Sequence, residues 1–586
     1  MTAYLLAIEL CLACIAIAAA YTVPDFARQH LPGVEHLLAP LVKRPRLAVI
    51  VIGLSALAAR AAVLPLLPIP EPTIHDEFSY LLAADTFAHG RLTNPTHPMW
   101  MHFETFHVNQ NPTYASMYYP VQGLLLAFGQ TVFGHPFFGV WLSVGFMCAA
   151  ICWMLQGWVP RKWALLGGFL AVIRLGIFSY WANSYYGGTM AAIGGALVLG
   201  ALPRIWRRRR VRDAVLMAAG FAIVANTRPF EGLFFGVAVA VALVAWMFGS
   251  KRPPARIVTR RVLIPAGLLF GLAISGTGYY FWRVTGSPFR IPYQVNMETH
   301  GLLYFPWQQL PPQPAYHHAV MRDFYLGPHN YGQYEFARSH PFEKFLLMLL
   351  LLWLFFLGPL LTLPLCCIPV LPPMSGKRIS RKTRFFLLVL MVSAAGLILP
   401  IYVPFPHFAA PLTGMIYALV MQGMRHAFVW GKWGRWGRWG RKGRASGQTI
   451  VLAVPVIGFV LLAARLAIPA FGHPVNPASP QFEFISTWGS PRWINTARAG
   501  ALERLKQHPG QHLVIVRYKP GHDIMFNEWV YNEADIDNAK VVWAREMSPA
   551  ENQKLIRYFH DRKAWLAEPD EDPPRLSPLT DTEMVH

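Results

Sequence analysis

His75-Asp76-Glu77-Phe78-Ser79-Tyr80 follows directly on an apolar stretch over residues 46–69 and opens a long polar loop, 70–120. Two adjacent carboxylates at the edge of a hydrophobic span are costly to desolvate, so an acid in that position marks a candidate functional site. The flanking composition decides the fold class. The chain has 586 residues, of which 54% are hydrophobic and only 14% charged, and its mean hydropathy is +0.33. Soluble globular chains carry about 25% charged residues. The balance therefore predicts an α-helical polytopic membrane protein.

Spans of about 20 apolar residues are predicted near 3–21, 46–69, 136–157, 163–180, 189–203, 213–227, 231–248, 262–283, 344–370, 383–403, 406–424 and 449–470, about twelve in all. The net charge is +22, yet residues 471–586 hold 13 Lys/Arg against 16 Asp/Glu, a balance of −3 that leaves +25 for the membrane portion. That surplus sits in short turns: Lys43 to Arg46, Arg161/Lys162, Arg204 to Arg212, Lys251 to Arg261, Lys377 to Arg384 and Arg425 to Arg444. If the spans alternate, all of these fall on one side, as the positive-inside rule requires. The expected partners of this charge are anionic membrane lipids, not nucleic acid. The Trp-Gly-Arg repeat within Lys432 to Arg444 reads as an interfacial linker. Met1 to Tyr21 lacks a basic leader and a cleavage site, so it reads as a retained helix. The six cysteines all lie in apolar stretches, which argues against a disulfide framework.

Three units are expected. Residues 1–45 form an extra N-terminal transmembrane helix and a basic cytoplasmic loop. Residues 46–470 form the transmembrane domain, with polar loops 70–120 and 284–343 on the outer face. Between them, Tyr119 to Phe133 is too short to span and reads as an interfacial helix. In residues 471–586, strand-like runs His512 to Tyr518, Lys540 to Arg545 and Lys563 to Ala567 alternate with helical stretches. This pattern predicts a small extramembrane α/β domain.

Asp76-Glu77-x-x-Tyr80-x-x-x-Ala84-x-x-x-x-x-Gly90, closed by Tyr118-Tyr119-Pro120 and an apolar helix, resembles the first outer loop of the GT-C superfamily. These are integral-membrane glycosyltransferases that use polyprenyl-phosphate sugars, similar to protein O-mannosyltransferases and aminoarabinose transferases. The resemblance covers residues 46–425 in layout and the first loop in residues. It implies transfer of a sugar, with inversion, from a polyprenyl-phosphate donor to a lipid, glycan or protein acceptor. The setting it implies is the outer face of a bacterial-type inner membrane, with the C-terminal domain periplasmic, and it places Asp76 or Glu77 at the catalytic centre.

The residues themselves suggest the same chemistry. Sugar transfer needs a general base and a group that stabilises the departing phosphate. Asp76 is the candidate base, with Glu77 orienting it or capping a helix. Arg228, isolated on the outer face, and Arg174, inside an apolar span, are candidate phosphate ligands, although Glu231 or another protein group could pair with either. Tyr80, Tyr119, Tyr185, Tyr293, Trp307, His317, Arg322 and His407 are the candidate substrate contacts. His102, Glu104 and His107 are spaced to gather a divalent metal ion with Asp76. Two competing readings are a transporter or flippase of lipid-linked sugars, which should show inverted repeats, and a non-catalytic membrane scaffold.

Overall fold

The computed structural model describes residues 2–249, 252–370, 381–429, 437–467, 487–488 and 496–579. Its first half runs through α1 (Thr2–Thr22), α2 (Phe26–Lys43), α3 (Pro45–Ala62), α4 (His75–Ala88), β1 (Val108–Asn109), β2 (Ala115–Ser116) and α5 (Pro120–Phe133). It continues with α6 (Phe137–Trp158), α7 (Arg161–Leu175), α8 (Thr189–Arg208), α9 (Val211–Ala225) and α10 (Pro229–Phe248). Next come α11 (Ala255–Val258), α12 (Ile264–Thr285), α13 (Pro292–His300), α14 (Ala319–Leu326), α15 (Tyr331–Ser339) and α16 (Pro341–Phe356). The bundle ends with α17 (Gly358–Val370), α18 (Arg381–Ile398), α19 (Thr413–Val429) and α20 (Gly437–Ala467).

Among the described residues, seven helices are long and apolar enough to cross a membrane, or eight if α14–α15 and α16, bent by 111°, count as one span. The sequence expectation was twelve. The difference arises where apolar runs are broken into shorter helices. The 344–370 run splits at Leu357-Gly358, and Pro120–Phe133, Gly358–Cys367 and Arg384–Ile398 are apolar but short. The helix at 26–43 replaces much of the loop expected before Pro45. Of the Trp-Gly-Arg repeat, residues 432–436 lie outside the described residues, and the part from Gly437 onward forms the start of α20.

α6 and α8 form the buried centre, whereas Ala255–Thr285 is largely exposed, as a lipid-facing helix should be. Small residues allow close approach at the centre. A Cβ on Gly195 would meet the Pro411 carbonyl oxygen at 2.0 Å, so only glycine lets the 404–412 segment seat against α8. α1 is tied into the bundle by a buried ion pair, Arg174 Nη1 to Glu9 Oε1 at 3.1 Å.

After α21 (Ala497–Gln507), β3 (His512–Val516), β4 (Val541–Arg545), α22 (Pro549–Tyr558), β5 (Lys563–Glu568) and β6 (Arg575–Pro578) build a four-stranded sheet of order β4-β3-β5-β6. β3 pairs in parallel with β4 and β5, and β6 adds an antiparallel edge. One face of this sheet shares a core with the first loop, through Leu82, Phe103, Val108, Leu513, Val542 and Phe559. The two are therefore packed as one body at the end of the bundle where α4 lies.

Candidate active site

α4 begins at His75, and Glu77 fixes that beginning. Its Oε2 accepts from the Thr73 N–H at 2.9 Å and the Ile74 N–H at 3.2 Å, and its Oε1 accepts from the Tyr185 N–H at 2.8 Å. A carboxylate at this position satisfies helix donors that have no intrahelical partner and complements the helix dipole. Burial raises the Glu77 pKa, and the backbone donors pull it partly back. Glu77 is thus a clamp joining the first turn of α4 to the 180–188 turn. Successive helical residues point about 100° apart, so Asp76 faces elsewhere.

Asp76 accepts a hydrogen bond from the Tyr118 hydroxyl, and His75 Nδ1 lies 3.9 Å from its Oδ2. His107 stacks on His75 with ring centroids 4.5 Å apart. His107 is placed there by a left-handed backbone (φ 60°), and its carbonyl accepts from Ser79 Oγ at 2.7 Å and the Met117 N–H at 3.1 Å. One ligand atom from each of His75, Asp76 and His107 lies within 4.8 Å of the others. Nδ1 of both histidines is buried with no hydrogen-bond partner among the described residues.

Burial would raise the Asp76 pKa, but His107, His75, the Tyr118 hydroxyl and Arg228 outweigh it and hold the carboxyl below its usual value. Burial pushes His75 down to about 3, helped by His107, and lowers His107 despite the pull of Asp76. At neutral pH the cluster is one carboxylate and two neutral imidazoles. That donor set suits zinc or another divalent transition-metal ion. The two orphaned nitrogens show that the residues fit such an ion.

Around this cluster, Tyr80 stacks on Tyr118 at 4.4 Å. Arg228 is the residue that precedes the first turn of α10; its guanidinium lies 4.5 Å from the Phe408 ring and, among the described residues, makes no side-chain hydrogen bond or ion pair within 4 Å. Its charge acts on Glu231, the alternative partner the sequence offers, as well as on Asp76, Tyr80, Tyr186 and His407. The His407 ring is buried against Tyr186 at 4.4 Å. The His407 backbone N–H donates to the Tyr180 hydroxyl, and His407 Nδ1 shares a hydrogen bond with the same hydroxyl at 2.9 Å. His407 Nε2 is buried with no hydrogen-bond partner among the described residues. Burial and Arg228 hold this imidazole well below its ordinary pKa. Phe324 presses edge-on against His75 at 5.2 Å, with His329 stacked on Phe324, and Tyr293 lies close enough to feel Asp76 and Arg228.

The remaining candidates lie elsewhere. Arg174 is engaged by Glu9 and by the Leu354 and Phe355 carbonyls. Tyr185 donates its hydroxyl to the Pro70 carbonyl, and Tyr119 caps α5 against Phe281. Trp307 is 61% exposed and stacks on Phe305, and Arg322 pairs with its neighbour Asp323. The trio His102, Glu104 and His107 is divided. His102 Nδ1–H donates to the Arg545 carbonyl at 3.0 Å, Glu104 pairs with His317 at 2.8 Å, and His107 alone reaches Asp76. Tyr186 and His329 join the site, as do His75 and Tyr118, which stand in the quoted segments but carry no role in the sequence reading. Direct adjacency to Asp76 was the available signal for His75, but i,i+1 neighbours converge only where a helix begins.

No protein-family model matches the chain, and no curated protein sequence matches it. Among solved structures, it resembles the Archaeoglobus fulgidus oligosaccharyltransferase. The structure with a tethered acceptor peptide containing the NVT sequon aligns at TM-score 0.48 and 11% identity, over 88% of this chain and 68% of that one. The archaeal oligosaccharyltransferase AglB of the same organism, with an inhibitory peptide and a dolichol-phosphate, aligns at 0.46 and 10%, over 90% and 70%. At this level of likeness, residue roles have to be argued from this chain alone.

Proposed function

We propose that this protein is a membrane glycosyltransferase of GT-C type that moves a sugar from a polyprenyl-phosphate carrier to a hydroxyl- or amine-bearing acceptor. The observation that carries this reading is the buried cluster of Asp76, His75, His107 and Tyr118 at one end of an apolar helix bundle, within the electrostatic reach of Arg228. The resemblance of the 76–120 segment to the superfamily's first loop supports it, as does the set of aromatic faces (Tyr80, Tyr118, Tyr186, Tyr293) suited to sugar rings.

In this reading Asp76 accepts the proton of the acceptor hydroxyl as its oxygen forms a bond to the anomeric carbon. The bond from that carbon to the phosphate oxygen breaks, and its electron pair leaves with the polyprenyl phosphate. Tyr118 holds Asp76 in position, Arg228 pairs with the phosphate, and His407 Nε2, when it carries the ring proton, offers a further donor to the departing charge. His75, Asp76 and His107 would hold a divalent ion, which when bound supplies Lewis-acid stabilisation of phosphate oxygens. The site faces the outer side, and the arginine-rich end of the bundle faces the cytoplasm.

The test is transfer from a radiolabelled polyprenyl-phosphate sugar by purified protein, paired with mass spectrometry of envelope lipids and glycans with and without it. Asp76→Asn is expected to abolish transfer at normal expression, and one saccharide increment should disappear from the envelope. Full activity in Asp76→Asn would remove the site assignment. Isothermal titration with Zn²⁺ or Mn²⁺ should show one site that His107→Ala weakens.

A further inference from the structure

We infer that the opposite, arginine-rich end of the bundle carries a binding site for the phosphate headgroup of an anionic phospholipid. Two adjoining cavities of about 410 and 180 Å³ lie there, sharing Gln156, Gly157 and Arg207 in their walls. Arg425 completes the larger cavity, and Arg161, Arg204 and Arg208 line the smaller. Neither wall contains a carboxylate among the described residues.

The basic residues come from three elements, the start of α7, the last turn of α8 and the late part of α19, so their meeting is a product of the fold. Cations in the last turn of a helix complement its dipole, and that alone would account for Arg207 and Arg208. It does not account for Arg161 or Arg425, or for the aromatic wall. Trp158 and Trp206 both line the larger cavity and meet edge to face at 5.9 Å. The Trp206 indole Nε1–H is buried there with no hydrogen-bond partner among the described residues.

Arg204 is held by the Gly200 and Trp153 carbonyls and forms a fixed wall. Arg207 donates to the Pro203 and Gly157 carbonyls, which aims its remaining donors, whereas Arg208 has no hydrogen bond or ion pair among the described residues. Arg161 donates one N–H to the Lys43 carbonyl at 3.4 Å and Arg425 one to Gln422 Oε1 at 2.9 Å, so each of these guanidinium groups is held at one nitrogen and keeps further donors. Those donors, the indole N–H and an apolar aromatic surface together match a phosphodiester with an attached hydrocarbon chain. The site lies at the far end of α6 from the Asp76 cluster. At 1.5 Å per residue, the 22 residues of α6 separate them by about 33 Å. This is the thickness of a bilayer's hydrocarbon core, which puts the headgroup in the other leaflet. The aromatic wall and this depth favour a lipid over a free phosphate ion.

The experiment uses the full-length protein purified in neutral phosphatidylcholine nanodiscs. Phosphatidylglycerol is titrated in and read by native mass spectrometry and by quenching of tryptophan fluorescence. Inorganic phosphate is titrated in a separate arm. Phosphatidylglycerol should be retained in preference to phosphatidylcholine, and millimolar inorganic phosphate should not displace it. Arg207→Gln/Arg425→Gln should weaken retention about thirtyfold, two headgroup-facing charges at their usual worth, and Arg207→Lys/Arg425→Lys should restore most of it. If the double glutamine variant fails to fold, Trp206→Phe keeps the ring, removes the orphan donor and should weaken retention severalfold. Unchanged retention in the variants, equal retention of phosphatidylcholine, or displacement by inorganic phosphate would each overturn the inference. The outcome is independent of whether the Asp76 end transfers sugar.

Discussion

Arg545, at the end of β4, is the residue on which the docking of the C-terminal sheet to the first loop should depend most. It is 1% exposed, donates from Nη2 to Glu528 Oε2 at 2.9 Å and from Nε to the Glu104 carbonyl at 2.6 Å, and its own carbonyl accepts from His102. Arg545→Met would leave Glu528 buried, with only the Tyr518 hydroxyl and the Val530 N–H as partners. Removing one member of a buried ion pair costs about 3–5 kcal/mol. That corresponds to about two to three and a half powers of ten in the local opening equilibrium. The assay is hydrogen exchange resolved by peptide. Protection should fall by that factor in β3–β5 and, three to five residues from the metal-fitting histidine, in the 102–107 segment. Because His102 and Glu104 precede His107 by five and three residues on the same loop, transfer activity should fall with it. Glu528→Gln/Arg545→Met should recover much of the loss, since no buried charge is left unpaired. If protection falls in the sheet while residues 102–107 and activity are unchanged, the sheet does not position the loop and the argument fails.

Three further outcomes are expected. Glu77→Gln offers a single acceptor oxygen to donors now shared by two, so it should destabilise the α4 start by about 1–2 kcal/mol and shift Asp76, read as a lower melting temperature and a kcat loss larger than any change in KM. Arg228→Ala should raise KM for the lipid donor about ten- to a hundredfold, the worth of one charge-assisted bond, with Arg228→Lys intermediate; an unchanged KM would separate Arg228 from the phosphate. His318 is held neutral by burial, at about 3, and His300 likewise at about 4, both below the ordinary 6.5. The unfolded chain then binds these protons first, so stability of the 292–326 segment should be constant above pH 6.5 and fall as pH drops toward 4. Limited proteolysis across pH measures this, and His318→Gln, which keeps a donor for the Met101 carbonyl, should flatten the acid limb.

The membrane-embedded helical class, the clustering of arginine turns and the placing of Asp76 at a span's edge could all be read from the chain, because each depends on local composition or on spacing within one segment. The strand-like runs at 512 and 541 are legible for the same reason, being short apolar stretches rich in Val, Ile and Trp, and the run at 563 is a short Ala-Trp-Leu-Ala stretch. What only the tertiary structure decided are the pairings across the chain. Arg174 faces a hydrophobic neighbourhood in sequence, yet its partner is Glu9, 165 residues away. His102, Glu104 and His107 look equivalent by spacing, but the β1–β2 reversal and the left-handed turn at His107 send them to three different partners. Span number escaped for a related reason. Apolarity sets whether a segment can lie in lipid, whereas the helix breaks at Gly358 and around residue 340, stabilised by neighbours distant in sequence, set whether it crosses.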